Sequence, residues 1–203
     1  MQKTVLLLIL DLYADWEGAY VSSLLMNMGR GRYAVKTVSL TKEPVHSIGG
    51  FTVIPDYDLT TVPKDYEALL LIGGMSWRTK EAKQVIPLVE DALAKKKVVG
   101  GICDGSTFLG KIGVLNHVMH TSNDINDLKQ WAKEAYTGEK DYKMQPAVRD
   151  GNIITANGTA PLEFAKEVLL ALEVADKKQI DKWYDFYKLG CYEAELPSIE
   201  DLP

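Results

Sequence analysis

Residues 98–110, VVGGICDGSTFLG, constrain the fold more than any other stretch of the chain. The β-branched Val98 and Val99 lead through Gly100, Gly101 and Ile102 into Cys103, and the residues that follow read as the first turns of a helix. Gly101-Ile102-Cys103-Asp104-Gly105 is the cysteine form of the G-x-S-x-G elbow, a sharp strand-to-helix turn that lifts a nucleophile off the end of a sheet strand. Glycines two positions either side let the strand and helix approach closely. The helix N-terminus sets unpaired N–H groups and a partial positive charge beside the sulfur, and both favour thiolate. The plainer alternative is a buried cysteine on a core strand, where it acts as a small apolar residue.

An elbow needs a parallel sheet around it, and the rest of the chain reads as one. Residues 4–10 are apolar without alternation, the mark of a strand covered on both faces. Asp15 is placed to cap a helix from Trp16 to about Met28, with Ala19, Leu24, Leu25 and Met28 facing the core. Glu17 then lies just beyond the C-terminal end of the first strand, where open α/β sheets place their ligands. Residues 33–40 read as a second strand, 44–54 as a hairpin about Gly49-Gly50, 55–63 as loop, and 68–72 as a strand stopped by Gly73-Gly74. Residues 80–96 carry a helical charge pattern that Pro87 kinks or divides. The lysines that close it complement the helix dipole.

Beyond the elbow helix, which runs to about Ile112, the pattern predicts a short strand at 116–121 and a helix at 124–136 with Trp131 on its apolar side. A hairpin turns about Asp150-Gly151, and an amphipathic helix spans 161–174 with Pro161 in its first turn. From Lys177 an aromatic-rich helix, with Trp183, Tyr184, Phe186 and Tyr187, ends at Gly190. Alternating strands and helices imply a mostly parallel sheet with helices on both faces, the hairpins being side decorations. A chain of 203 residues builds one sizeable core. We expect a domain at 1–176 and a C-terminal helical extension at 177–203, packed on that domain or on a dimer partner.

A net charge of −5 without a basic stripe argues against a nucleic-acid surface. The apolar run from Val5 to Leu10 is too short to span a membrane and lacks the cleavage site of a signal peptide. Two cysteines, Cys103 and Cys191, suit a reducing cytoplasm better than a disulfide framework, although their pairing stays open at this stage.

Three stretches together carry a resemblance: Asp15-Trp16-Glu17, the Ser47-Ile48-Gly49-Gly50 hairpin leading through Pro55-Asp56 to Gly73-Gly74, and the Cys103 elbow. With them the chain resembles the ThiJ/PfpI family of the class I glutamine amidotransferase-like superfamily, from Val5 to about Leu172. Residues 157–164 look like that family's closing loop and helix. The resemblance implies a flavodoxin-like three-layer α/β sandwich and a homodimer. It places the nucleophile on Cys103 and its acidic partner on Glu17, with backbone N–H donors at Gly73, Gly74 and Asp104. A neutral Glu17 carboxyl, kept protonated by burial and by the adjacent thiolate, would donate to the sulfur.

Family peptidases often carry histidine directly after the cysteine. Asp104 stands there in this chain, which argues against peptidase activity of that type and sets a negative charge near the sulfur. Of His46, His117 and His120, the last is the expected base, because related proteins have an active-site histidine in that stretch; His117 is the second choice. No histidine pair has ligand spacing with Cys103, so neither metal nor cofactor is expected. The functional expectation is a cysteine-dependent enzyme acting on a small carbonyl or amide compound, amidase-like or glyoxalase-like. The alternatives are an oxidation sensor working through Cys103 and a site that only binds a small molecule.

Overall fold

The computed structural model describes residues 2–195 and 197. An inner strand, β1 (Lys3–Leu8), is apolar from Val5 to Leu8, where it is paired on both edges and covered on both faces. On one edge it pairs in parallel with β2 (Tyr33–Ser39), Val5 opposite Val35. A small antiparallel hairpin, β3 (Val45–His46) and β4 (Thr52–Val53), and the edge strand β5 (Tyr57–Asp58) come next in the chain. On its other edge β1 pairs with β6 (Ala68–Leu71), which pairs in parallel with β7 (Val98–Ile102). β8 (Ala147–Asp150) and β9 (Ile153–Ala156) complete a seven-stranded sheet of order β5-β2-β1-β6-β7-β9-β8, in which β8 alone is antiparallel.

Alternate side chains of these strands enter two separate cores. Val5, Leu7 and Leu70 meet α1 (Asp15–Met28), α5 (Pro161–Ala171) and α6 (Lys177–Leu189) through Val21, Leu25, Phe164, Val168 and Trp183. Leu6, Leu8, Leu69 and Leu71 meet α2 (Ile86–Ala94), α3 (Asp104–Lys111) and α4 (Ile125–Ala132) through Val89, Phe108, Leu109 and Leu128. This is the expected three-layer α/β sandwich. Each fully buried leucine adds about 1.5–3 kcal/mol of transfer free energy, so the strand pattern that divides them between two faces also sets the layers.

Several local expectations are corrected. Asp15 does not cap α1. Ala14 occupies the cap position, and the Asp15 carboxylate accepts instead from the Gly49 N–H at 2.7 Å, tying the β3–β4 hairpin to the start of α1. Ala19 is exposed, and Val21 takes the core position. Residues 55–63 contain β5, held at the edge by Asp56, which accepts from the Thr37 N–H at 2.8 Å. Residues 116–121 form no strand, only an isolated bridge from His120 to Tyr142, because His120 is committed to a buried aromatic cluster. The β8–β9 hairpin is part of the main sheet rather than a decoration, since β9 pairs with β7. Pro87 divides the 80–96 segment into a 3-10 turn (Glu81–Val85) and α2, where it occupies the first turn.

The extension docks on its own domain. Ile180 and Trp183 are buried in the first core, Tyr187 meets Tyr20 of α1 edge to face, and Glu163 of α5 accepts from both Tyr184 and Lys188. Residues 196 and 198–203 of the expected extension lie outside the described residues.

Candidate active site

The site lies at the C-terminal ends of β1, β6 and β7. The sheet order reverses between β1 and β6, and that crevice is where doubly wound sheets bind ligands. Cys103 sits between β7 and α3 with φ 54° and ψ −130°, a left-handed conformation that costs an L-residue about 1–3 kcal/mol. Bonds on both sides hold it there. Its N–H donates to Ala156 O at 3.0 Å, and its carbonyl accepts from the Ser106 N–H at 3.0 Å and the Ser106 hydroxyl at 2.6 Å. At Gly105 a Cβ would stand 2.4 Å from the Leu71 carbonyl, so only glycine lets α3 leave the strand this sharply.

The sulfur meets a carboxamide and a buried carboxyl. Asn123, in the loop before α4, donates from Nδ2 to Cys103 Sγ at 3.2 Å, while its Oδ1 accepts from the Gly158 N–H at 2.8 Å. That second bond fixes which way the amide points, leaving its NH2 group for the sulfur. Glu17, in the first turn of α1, is fully buried, and neither of its oxygens completes a regular hydrogen bond. The polar groups bearing on it are the Cys103 thiol and the Gly73 N–H, with the Asp104 carboxylate acting on it through its charge. A Cβ at residue 73 would lie 2.3 Å from Glu17 Oε2 and 2.5 Å from Cys103 Cβ. One at residue 158 would lie 3.0 Å from both Sγ and Glu17 Oε1. Glycine at both positions is what allows the carboxyl and the thiol to pack together.

Burial dominates the electrostatics of this pair. It raises the Glu17 pKa to about 7, against the opposing pull of Cys103 and the Gly73 N–H. It also raises the thiol, and the Glu17 charge pushes in the same direction, while Asn123 and the Asp104 N–H pull it down. The depressed thiol expected from the helix N-terminus is therefore corrected, because desolvation outweighs the dipole. The pair gives up its first proton far more readily than its second, and that first proton comes from the carboxyl, so the thiol beside it keeps its own.

Asp104 brings less negative charge to the sulfur than its position suggests. The Arg78 guanidinium grips it with two bonds, 2.8 and 2.9 Å, and takes Asp127 of α4 with two more, 3.0 and 2.6 Å, above the Trp131 ring. This fork joins the N-termini of α3 and α4 and offsets both carboxylates locally.

The expected backbone donors differ from one another. The Gly73 N–H bears on Glu17, and the Asp104 N–H faces the sulfur. Gly74, at φ 145°, bridges Tyr13 through bonds from Ala14 N to Gly73 O and from Met75 N to Leu12 O, so its own N–H takes no part in the bridge. His120 is fully buried and away from the thiol. Its ring nitrogens are spent on Val118 O and the Tyr136 hydroxyl, both at 2.7 Å, and burial lowers its pKa. His117 is exposed, and His46 pairs with Asp11 on the surface.

Sequence reasoning gave no role to Asn123, Gly158, Arg78 or Trp16, whose indole donates to Gly158 O at 3.1 Å. Asn123 lies three residues after His120, and neither its type nor its spacing marks it as a sulfur ligand. Among the described residues no cluster of three or more potential metal ligands assembles, and no helix is long and apolar enough to cross a membrane.

The chain belongs to the DJ-1/PfpI family, whose model matches residues 3–171. It is similar to two proteins of Bacillus subtilis named as uncharacterized proteases. YdeA is 39% identical over 191 residues, spanning 94% of this chain and 93% of that protein. YoaZ is 34% identical across 92% of this chain and 91% of its own. Among solved structures, the thiJ/pfpI family protein from Bacillus anthracis has TM-score 0.85 and 33% identity, covering 93% of this chain and 91% of that one. The DJ-1 superfamily protein Atu0886 from Agrobacterium tumefaciens has TM-score 0.83 and 32% identity, covering 93% and 98%. The family read from the elbow, Glu17 and the paired glycines is thus shown, together with its flavodoxin-like fold.

Proposed function

We propose that this protein is a cysteine-dependent hydrolase of small amide compounds, with Cys103 as nucleophile and Glu17 as the group that carries its proton. The observation that carries the reading is the packed pair itself: a thiol on a strained elbow against a fully buried carboxyl whose pKa is raised to about 7. Such a carboxyl changes charge near neutral pH, as proton transfer in both directions requires. The names of the two Bacillus relatives favour hydrolysis over lyase chemistry.

In the first step the thiol proton passes to the Glu17 carboxylate and Sγ bonds to the amide carbon. The charge that develops on the carbonyl oxygen is held by the Asp104 and Gly74 N–H groups. Collapse of this adduct breaks the C–N bond, and the amine leaves with the proton from Glu17. Water then attacks the thioester and gives one proton to Glu17, the C–S bond breaks, and that proton returns to sulfur as the acid departs. Asn123 steadies the thiolate throughout as a donor that cannot itself titrate. His120, committed to Val118 and Tyr136, has no part in this scheme.

Both cysteines are unpaired, which fits work in the reducing cytoplasm. Homodimerisation remains part of this reading, and light scattering in solution tests it. The function is tested with peptide amides and methylglyoxal assayed side by side on wild type and Cys103→Ala. Amide turnover lost in the variant supports the hydrolase. Turnover of methylglyoxal alone refutes it in favour of lyase chemistry. Turnover of neither, with a Cys103 sulfinate formed in mild peroxide while Cys191 stays reduced, refutes it in favour of an oxidation sensor.

A further inference from the structure

A second cavity wall lies beside the reacting sulfur, and its chemistry narrows the substrate. A cleft of about 300 Å³ opens between the loop at 121–125 and the segment at 142–146. It shares Asn123 with the thiol site, since the amide that lines the cleft also donates to Sγ at 3.2 Å. Asn157, next in the chain to the glycine that covers Sγ, closes the other side. Asn123 is thus the residue that joins the cleft to the thiol.

The wall offers three carboxamides, Asn123, Gln145 and Asn157, one carboxylate, Asp124, and the apolar surface of Met144. Asn123 makes one bond from each end, to Sγ and from the Gly158 N–H, and Asn157 Oδ1 accepts from the Thr159 N–H and hydroxyl, which leaves the Asn157 NH2 and the exposed Gln145 amide as the wall's uncommitted carboxamide groups. Asp124 accepts from the Asp127 N–H with one oxygen, at 2.8 Å. None of the described lining residues is lysine or arginine. Arg78 is committed fourfold to Asp104 and Asp127. Lys143, between two lining residues, is not part of the wall and bears on His120 instead.

We propose that this cleft is the substrate subsite next to Cys103 and that it accepts a neutral amide-bearing group while rejecting a free carboxylate. The inference rests on the reading of Cys103 as the nucleophile and names the substrate class of that site. A carboxylate seated there would find no cation to pair with and the Asp124 charge close by, whereas an amide finds complementary donors and acceptors.

The test separates this inference from turnover by using two alkylating reagents of nearly equal size, neutral iodoacetamide and anionic iodoacetate. It is carried out on the full chain in a Cys191→Ser background, so that only Cys103 reacts, with N-acetylcysteine as the reference thiol. We expect the iodoacetamide-to-iodoacetate rate ratio at Cys103 to exceed the reference ratio by about tenfold or more. Gln145→Arg, an exposed substitution, adds a cation to the wall and should lower the iodoacetamide-to-iodoacetate ratio at least about threefold by speeding iodoacetate. A ratio equal to that of N-acetylcysteine overturns the proposal. So does a raised ratio that Gln145→Arg leaves untouched, since the discrimination would then come from Glu17 rather than from the cleft. If the selectivity and its relief are seen but no amide is turned over, the subsite stands and the hydrolase reading falls.

Discussion

Replacing Glu17 by glutamine should make the protein more stable at alkaline pH, although it removes the central carboxyl of the site. Glu17 is fully buried with no regular partner, and its proton is held up to about pH 7 rather than the 4.5 of a free carboxyl. Because the folded pKa is raised, the native chain binds more protons than the unfolded chain between those values. Stability therefore falls as pH rises through that window and is greatest below it. At 1.36 kcal/mol for each pKa unit, ionising this group costs the native state about 3 kcal/mol by pH 8. Glutamine has the shape of the protonated acid, can donate to the sulfur and never ionises. Urea unfolding followed by tryptophan fluorescence at pH 4, 6 and 8 measures the difference by linear extrapolation. Wild type and Glu17→Gln should agree within about 1 kcal/mol at pH 4 and differ by about 3 kcal/mol at pH 8 in favour of the variant. Parallel stability curves, or a wild type that gains on the variant with rising pH, would refute the view that burial controls this carboxyl.

The other predictions concern the groups around the pair. Gly73→Ala should destabilise the fold by about 1–3 kcal/mol in the same unfolding assay, because its methyl must displace Glu17 Oε2 or Cys103 Cβ; an unchanged midpoint would mean that the pair has slack. Asn123→Leu should raise the pH midpoint of Cys103 alkylation by about one unit, having removed a donor that favours thiolate, and an unmoved midpoint would remove Asn123 from the site. Arg78→Met strips the compensating charge from Asp104 and should slow alkylation at pH 7 by about tenfold, with Arg78→Lys only partly restoring it because lysine lacks the fork. Tyr136→Phe leaves the buried His120 Nε2 without its partner and should cost about 1–3 kcal/mol of stability with no change in Cys103 reactivity; a fall in reactivity would return His120 to the site.

What this sequence determined by itself is the part carried by near neighbours in the chain. The uninterrupted apolar run of β1 requires a strand buried on both faces. Glycines flanking Cys103 allow a turn that larger residues would block, and Pro161 and Gly190 mark a helix start and a helix end through their backbone preferences. Glu17 was legible through its place after the first strand, and its meeting with Cys103 follows once the parallel sheet is accepted. Tertiary structure decided the rest. Asn123 reaches the sulfur, Arg78 neutralises Asp104, and His120 turns into an aromatic cluster because loops between helices are placed by packing, not by their own periodicity. The protonation of the pair belongs to the same class. The residues nearest Cys103 in sequence argue for a free thiolate through the helix dipole. Burial reverses that sign, and burial is a property of the whole fold, since it takes β1, β6, β7 and the loop at Gly158 together to exclude water from Glu17.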